Sequence, residues 1–328
     1  MFIPLISYLL LSFALLYACA RISYKLKFVD IPSARKTHAE ATAFTGGIGI
    51  SFSFIFSIFL FDVSNIVFNL ILFMSFLMSI IGFIDDKFNL NAVNKLSLQF
   101  FPILYLIIFQ DLSLIHLGDY NYFKFNLGIF SIPFTLICTL FLVNAFNYFD
   151  GTDGTISFST ISILGILYFL YPNQEFLLYL IMILIPLSLF ICFNFSFFRL
   201  PKMFLGDSGS LLLGFVISFI LIYLANQDLI HPIVLAWSIA IFVYEFLSIN
   251  FIRFIKKKNI FIPGRDHLHH VLFDKNKSIL LTNFIITILN FILFSIGYLS
   301  FIFISPFISF FLFILLCFIF LYIRYDYA

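Results

Sequence analysis

Long apolar runs alternate with short polar segments along the whole of this chain. The runs fall at 1–20, 45–61, 65–84, 97–110, 128–149, 155–171, 176–198, 208–225, 232–252, 279–302 and 306–324. A helix needs about 20 apolar residues to cross a bilayer, and most of these runs reach or approach that length. The pattern predicts an all-α, polytopic membrane bundle of eleven spans, one domain over residues 1–328. The shortest spans are 97–110 and 155–171. Ser305-Pro306 marks the last turn, because proline cannot continue a helix without disrupting it.

Letting the chain cross at every run sorts the polar segments into two sets. Asp62–Ser64, Asp111–Asn126, Tyr171–Glu175 and Asn226–His231 fall on one side. The basic segments around Arg35–His38, Asp85–Lys95, Asp150–Asp153, Arg199–Asp207 and Arg253–Lys277 fall on the other. Of the 18 Lys and Arg residues, 17 lie with the second set and only Lys124 lies opposite. The positive-inside rule makes the second side cytoplasmic, with the N-terminus outside and the C-terminus inside.

Composition narrows the class further. The chain is 62% hydrophobic and 10% charged, against about 25% charged residues in soluble domains. The 52 phenylalanines lie mostly in the apolar runs and read as packing and lipid-facing bulk. Cys19, Cys138, Cys192 and Cys317 have neither disulfide nor metal-ligand spacing and read as small buried apolar residues. The first run ends Ala18-Cys19-Ala20 but lacks a basic segment before it, so it is expected to remain a span. A net charge of +2 gives no basis for a nucleic-acid partner.

Five polar segments carry candidate chemistry. In Asn144-Ala-Phe-Asn-Tyr-Phe-Asp-Gly-Thr-Asp-Gly154, Asp150 and Asp153 close a span, and Asn144 and Asn147 precede them at helical spacing. So many polar groups at a membrane boundary are costly without partners. Asp85 and Asp86 end another span. Adjacent carboxylates repel unless a cation neutralises them, and Mg²⁺ favours one or two carboxylates together with phosphates. Lys95 and Gln99 follow one turn apart. Met203-Phe-Leu-Gly-Asp-Ser-Gly-Ser210 sets Asp207 between glycines where a helix begins, and helix starts favour anions. Arg265-Asp-His-Leu-His-His270 offers His267, His269 and His270 to phosphate or nucleotide; their spacing is too tight for an ordinary zinc site. Arg35, Lys36 and His38, ahead of Gly46-Gly47, are donors suited to phosphate oxygens. Lys256–Lys258 reads as positive-inside anchoring. Glu245, a lone acid inside a span, is either functional or a polar contact between helices.

Taken in order, these motifs resemble the polyprenyl-phosphate N-acetylhexosamine-1-phosphate transferases, a membrane family assigned to glycosyltransferase family 4. The likeness runs from Asp30 to His270. It includes D-x-P-x-x-R-K-x-H, Asp85-Asp86 with Lys95 and Gln99, N-x-x-N-x-x-D-G-x-D-G, F-L-G-D-x-G-S, Glu245 and H-x-H-H. The interrupted histidine run resembles the undecaprenyl-phosphate N-acetylglucosamine-1-phosphate branch; the muramoyl-pentapeptide branch typically has three consecutive histidines. Asn89 stands where the family often has an acid. Ala43 stands where a proline is common, which is expected to loosen the segment before Gly46-Gly47.

The resemblance implies transfer of a HexNAc-1-phosphate from a UDP-sugar to undecaprenyl phosphate with release of UMP. The implied cofactor is Mg²⁺, with Mn²⁺ as a substitute. Asp85, Asp86, Asp207 and His267 are the implied catalytic residues. Asp207 is the principal metal ligand, and Asp85 and Asp86 organise the metal and the lipid phosphate. Asn144, Asn147, Asp150 and Asp153 would hold nucleotide and sugar, with Phe204 stacked on uracil. Arg265, His269 and His270 would grip phosphate or the sugar amide. Arg35, Lys36, His38 and Lys95 would add positive charge. The implied setting is a bacterial inner membrane, with the site on its cytoplasmic face; a homodimer is admitted but not required. The alternatives are the muramoyl-pentapeptide reaction, a CDP-alcohol phosphotransferase, a non-catalytic scaffold and a transporter. Transporters place binding groups near the bilayer midplane and often carry repeated halves, and neither pattern is evident here.

Overall fold

A computed structural model describes residues 2–31, 40–61, 63–257, 264 and 266–327. In chain order the helices are α1 (Phe2–Leu26), α2 (Gly46–Leu60), α3 (Ile66–Phe88), α4 (Ala92–Phe109), α5 (Ser131–Phe149), α6 (Thr155–Leu170), α7 (Gln174–Asn194), α8 (Gly206–Asn226), α9 (Pro232–Ser238), α10 (Ala240–Ile255), α11 (Leu268–Asn276), α12 (Ile279–Phe303) and α13 (Pro306–Tyr327). The strands are β1 (Val29–Asp30) paired with β2 (Thr42–Ala43), and β3 (His116–Asp119) paired with β4 (Lys124–Asn126); both pairs are antiparallel.

Each expected span coincides with helix. Among the described residues, eight helices are long and apolar enough to cross a membrane, or nine with α9 and α10 taken together. The chain is thus a polytopic helical membrane protein. The count differs from eleven for two reasons. Helices α2 and α6 are shorter apolar helices. The run 232–252 is two helices meeting at 73° across Ile239. The loop expected at 111–126 contains the β3–β4 hairpin.

The chain divides into two compact units. The first comprises Met1–Leu106 and Asn173–Val216. In it α1 packs on α2 and α7, and α2 packs on α3. The Tyr8 hydroxyl donates to the Met182 carbonyl at 2.7 Å, and Phe68 stacks on Tyr179 with centroids 4.3 Å apart. The first half of α8 buries Leu211, Leu212, Leu213, Phe215 and Val216 completely.

The second unit comprises Ile107–Pro172 and Ile217–Ala328. Here α12 packs on α6, α9 and α13, and α10 packs on α5 and α13. Lipid gives apolar side chains little reason to leave it, so close packing and interhelical hydrogen bonds hold such helices together. Both are visible. Asn290 donates to the Ser238 carbonyl at 3.2 Å, which satisfies backbone freed at the α9–α10 bend. Trp237 donates to the Ser309 hydroxyl at 3.0 Å, and its ring lies against Gly297.

A β-carbon on Gly297 would stand 2.1 Å from the Trp237 ring. Gly297→Leu is therefore expected to cost about 1–3 kcal/mol through overpacking, read as a lowered thermal midpoint in detergent micelles. An unchanged midpoint would show that α12 and Trp237 are not in this contact.

Candidate active site

The first unit carries a cluster of acidic and basic side chains where three helices end or begin. Asp85 and Asp86 lie in the last turn of α3, Lys95 in the first turn of α4, and Asp207 in the first turn of α8. The Lys95 ammonium stands 2.8 Å from Asp85 Oδ2 and 2.5 Å from Asp207 Oδ2, joining carboxylates 122 positions apart in the chain. Lys95 and Asp85 are nearly buried, at 13% and 12% side-chain exposure, so water screens this triad little. Asp85 Oδ1 also accepts the Leu90 N–H at 2.9 Å. Asp86 turns the other way, and its Oδ2 receives the Ser208 N–H at 3.4 Å. The group that caps the start of α8 is thus a carboxyl of the protein itself.

Glycines allow this approach. A β-carbon on Gly82 would lie 2.3 Å from the Asp207 carbonyl group, and one on Gly47 would lie 2.0 Å from the Gly209 nitrogen. Gly206 adopts φ +72°, and a β-carbon there would meet Asp86 Oδ2 at 2.6 Å. Only glycine takes that conformation freely and leaves the room. Ala43, expected to loosen the neighbouring segment, is instead fully buried, and its carbonyl accepts the Phe204 N–H at 2.7 Å. The Phe204 ring has the Lys202 ammonium 5.4 Å from its centroid. Asn89 is the left-handed cap that ends α3, and its N–H donates to the Asp85 carbonyl.

The second unit brings two other motifs together. Asp150 caps the end of α5, and Gly154, at φ +80°, opens α6. Asn283 of α12 braces the turn between them. Its amide donates to the Asp153 carbonyl at 2.8 Å and accepts the Thr155 hydroxyl at 2.7 Å. Asn144 and Asn147 lie in the last turns of α5, with the Asn144 amide donating to the Leu140 carbonyl. The histidine segment packs on this turn. His269 is fully buried, and its Nε2 would lie 1.9 Å from a β-carbon at Gly151. The His267 and His269 rings lie parallel with centroids 5.6 Å apart, and His270 is 4.3 Å from His269.

Buried charges hold that segment. Asp266 receives a two-pronged bond from Arg253, at 2.6 and 3.0 Å. Glu245 accepts the Leu268 N–H at 2.8 Å and two bonds from Arg324. Burial works to raise the Asp266 carboxyl, but the bond and charge of Arg253 outweigh it and hold it at about 2. Burial, then Arg253, lowers His267 to about 4. Burial, then His270, pushes His269 well below the usual imidazole range. Both buried rings are neutral at pH 7.

Arg35, Lys36, His38 and Arg265 lie outside the described residues. Arg253, Arg324, Asn283, Gly82 and Gly151 were not anticipated from the sequence. Asn283 did carry a signal, since it is an amide within the apolar run 279–302.

Residues 68–225 match the sequence profile described as glycosyl transferase family 4. The chain is 28% identical over 278 residues to the undecaprenyl-phosphate alpha-N-acetylglucosaminyl 1-phosphate transferase of Yersinia pestis, covering 82% of this chain and 75% of that protein. The same-named protein of Escherichia coli K12 is 28% identical over 276 residues, with the same coverage of each. A probable undecaprenyl-phosphate N-acetylglucosaminyl 1-phosphate transferase of Bacillus subtilis is 28% identical over 279 residues, 83% of this chain and 77% of that one. The resemblance drawn from the motifs is borne out, including its branch.

Among the described residues, no three His, Cys, Asp or Glu side chains are arranged as a ready metal cage. The Asp85–Lys95–Asp207 cluster nevertheless fits a hard divalent cation. Mg²⁺ is commonly held by only one or two carboxylates, with phosphates and water for the remainder. Asp85 and Asp207 already converge on one positive charge, that of Lys95.

The neutral histidine gives a pH prediction. The folded pKa of His267, about 4, lies below its ordinary 6.5, so the unfolded chain binds the extra proton between those values. The stability this contributes is complete above pH 6.5 and is lost as pH falls towards 4, by about tenfold in the folding equilibrium per pH unit for this one group. His267→Gln should flatten the acid limb of stability against pH, measured by thermal unfolding in micelles. A limb of unaltered steepness would assign it to other groups.

Proposed function

We propose that this protein transfers N-acetylglucosamine-1-phosphate from UDP-N-acetylglucosamine to undecaprenyl phosphate at the cytoplasmic face of a bacterial inner membrane. The product begins a lipid-linked envelope glycan. The observation that carries this reading is the Asp85–Lys95–Asp207 triad at the ends of apolar helices, inside the stretch that matches the family 4 profile. Relatives aligned over 82–83% of this chain are named for this transfer.

In the reaction a lipid phosphate oxygen attacks the β-phosphorus of the donor. One phosphorus–oxygen bond forms, the bond to the bridging oxygen breaks, and UMP leaves with that oxygen. Two anions must meet, so neutralisation of charge dominates the barrier. When bound, Mg²⁺ supplies Lewis-acid neutralisation of the diphosphate; Asp207 and Asp85 would hold it, with Asp86 one position on. Lys95, released from the carboxylates, turns its charge to phosphate. In direct attack Asp85 takes the remaining proton of the lipid phosphate.

The neutral histidines refine their expected role. A neutral imidazole has one donor and one acceptor, a match for the amide and hydroxyls of an N-acetyl sugar. A grip on phosphate would favour the charged ring. Among the described residues neither ring nitrogen of His269 has a hydrogen-bond partner, but that ring is fully buried against Gly151, so His267 and the half-buried His270 are the rings placed to meet the sugar.

Purified protein given Mg²⁺, UDP-N-acetylglucosamine and undecaprenyl phosphate should release UMP and form the sugar-diphospholipid, detected by mass. No UMP from any UDP-N-acetylhexosamine, in a preparation shown to be folded, would sink the proposal. Asp207→Asn should lower turnover about a hundredfold or more while the protein still inserts. A wild-type rate would remove Asp207 from the metal site.

A further inference from the structure

The last turn of α13 is the part of the molecule that the reaction just described leaves unused. Along this helix Leu315, Phe318, Ile319, Tyr322 and Ile323 are exposed, as lipid-facing residues are, yet Arg324 is 3% exposed. A buried guanidinium in a helix of this kind needs a reason. Its bonds supply one. Nε donates to Glu245 Oε2 at 3.0 Å, and Nη2 donates to Glu245 Oε1 at 3.1 Å and to the Asp266 carbonyl. Glu245 is 1% exposed, and its Oε1 also takes the Leu268 N–H that opens α11. Backbone atoms on both sides of His267 thus end on one ion pair. The planar fork of arginine suits such a junction, since it binds a carboxylate with two donors and retains others for a carbonyl.

We infer that Arg324 is a positioning residue: with Glu245 it fixes the backbone of Asp266–Leu268, and so sets where His267 meets the sugar of the donor. The inference rests on the proposed use of the histidine segment in donor binding. Arg253, which holds the Asp266 side chain, fixes the same segment from α10. The geometry divides the work: Arg253 secures the Asp266 side chain, Arg324 its carbonyl, and Glu245 the Leu268 N–H. A merely structural ion pair between α10 and α13 would change the amount of folded enzyme but not its affinity for one substrate.

The test uses full-length protein in micelles, with Arg324→Lys and Arg324→Met. Lysine keeps the buried charge and loses the fork, so it remains informative if the methionine variant fails to fold. Arg324→Lys is expected to raise the KM for UDP-N-acetylglucosamine about tenfold and leave the KM for undecaprenyl phosphate within twofold. Glu245→Gln should have a similar effect, and the Glu245→Gln/Arg324→Lys double variant should be no worse than the more impaired single one, as for residues acting through one segment. Hydrogen exchange provides a second reading without catalysis. The peptide containing Leu268 should lose protection in Arg324→Lys, while peptides from α5 and α12 keep theirs. Unchanged protection at Leu268, or an unchanged donor KM in a folded variant, would overturn the inference. Absence of turnover by the wild type with every UDP-sugar would instead defeat the proposed function, and the exchange measurement would still judge the latch.

Discussion

An ionised side chain at the edge of hydrocarbon persists only if something pairs with it, and that constraint organises both units. In the first, Lys95 lies between Asp85 and Asp207. In the second, Arg324 and Arg253 meet Glu245 and Asp266. Lys95–Asp207 and Arg324–Glu245 close gaps of 112 and 79 positions, so the charges also specify which helices adjoin. Apolar packing alone would specify this poorly, because leucine and phenylalanine fit lipid nearly as well as they fit one another.

The two clusters solve opposite problems. The Asp85–Lys95–Asp207 triad holds two carboxylates to a single ammonium, with Asp207 the most exposed of the three at 30%. Such a group can exchange partners when a more highly charged cation and phosphates arrive. The Arg324–Glu245 pair is at 3% and 1% exposure, and its remaining bonds go to backbone. Removing one partner of a buried pair leaves an uncompensated charge, which makes that arrangement costly to open. The first geometry suits chemistry; the second suits holding a neighbour still.

The parts of this architecture legible in sequence were those that break a local rule. Asp85, Asp86, Lys95, Asp207 and Glu245 stand out because charge is scarce in a chain that is 62% hydrophobic. Asp150, Asp153 and the histidines stand out by their spacing. The bend at Ile239 left no such mark. No glycine or proline stands closer than Pro232, which opens the run, and the amide that supports the bend, Asn290, is 51 positions away. Gly82 and Gly151 were equally silent, because a glycine's meaning lies in what approaches it. Arg324 was misleading: a cation ending the last span looks like ordinary positive-inside anchoring, and only its burial against Glu245 distinguishes it.

Gly151 joins the two kinds of information. The Asp-Gly pair reads as a turn, and turns need glycine for backbone freedom. Here the deciding feature is room: any side chain at 151 would enter the space of His269 Nε2. The aspartate turn and the histidine segment, 115 positions apart at Gly151 and Asp266, are therefore one packed object. Asn283 secures the turn, and the Glu245–Arg324 pair secures the histidines. A change to either support should be felt at the other motif through this contact. Hence α12 and α13, which lie beyond the last motif in the chain, hold two of the motifs in place.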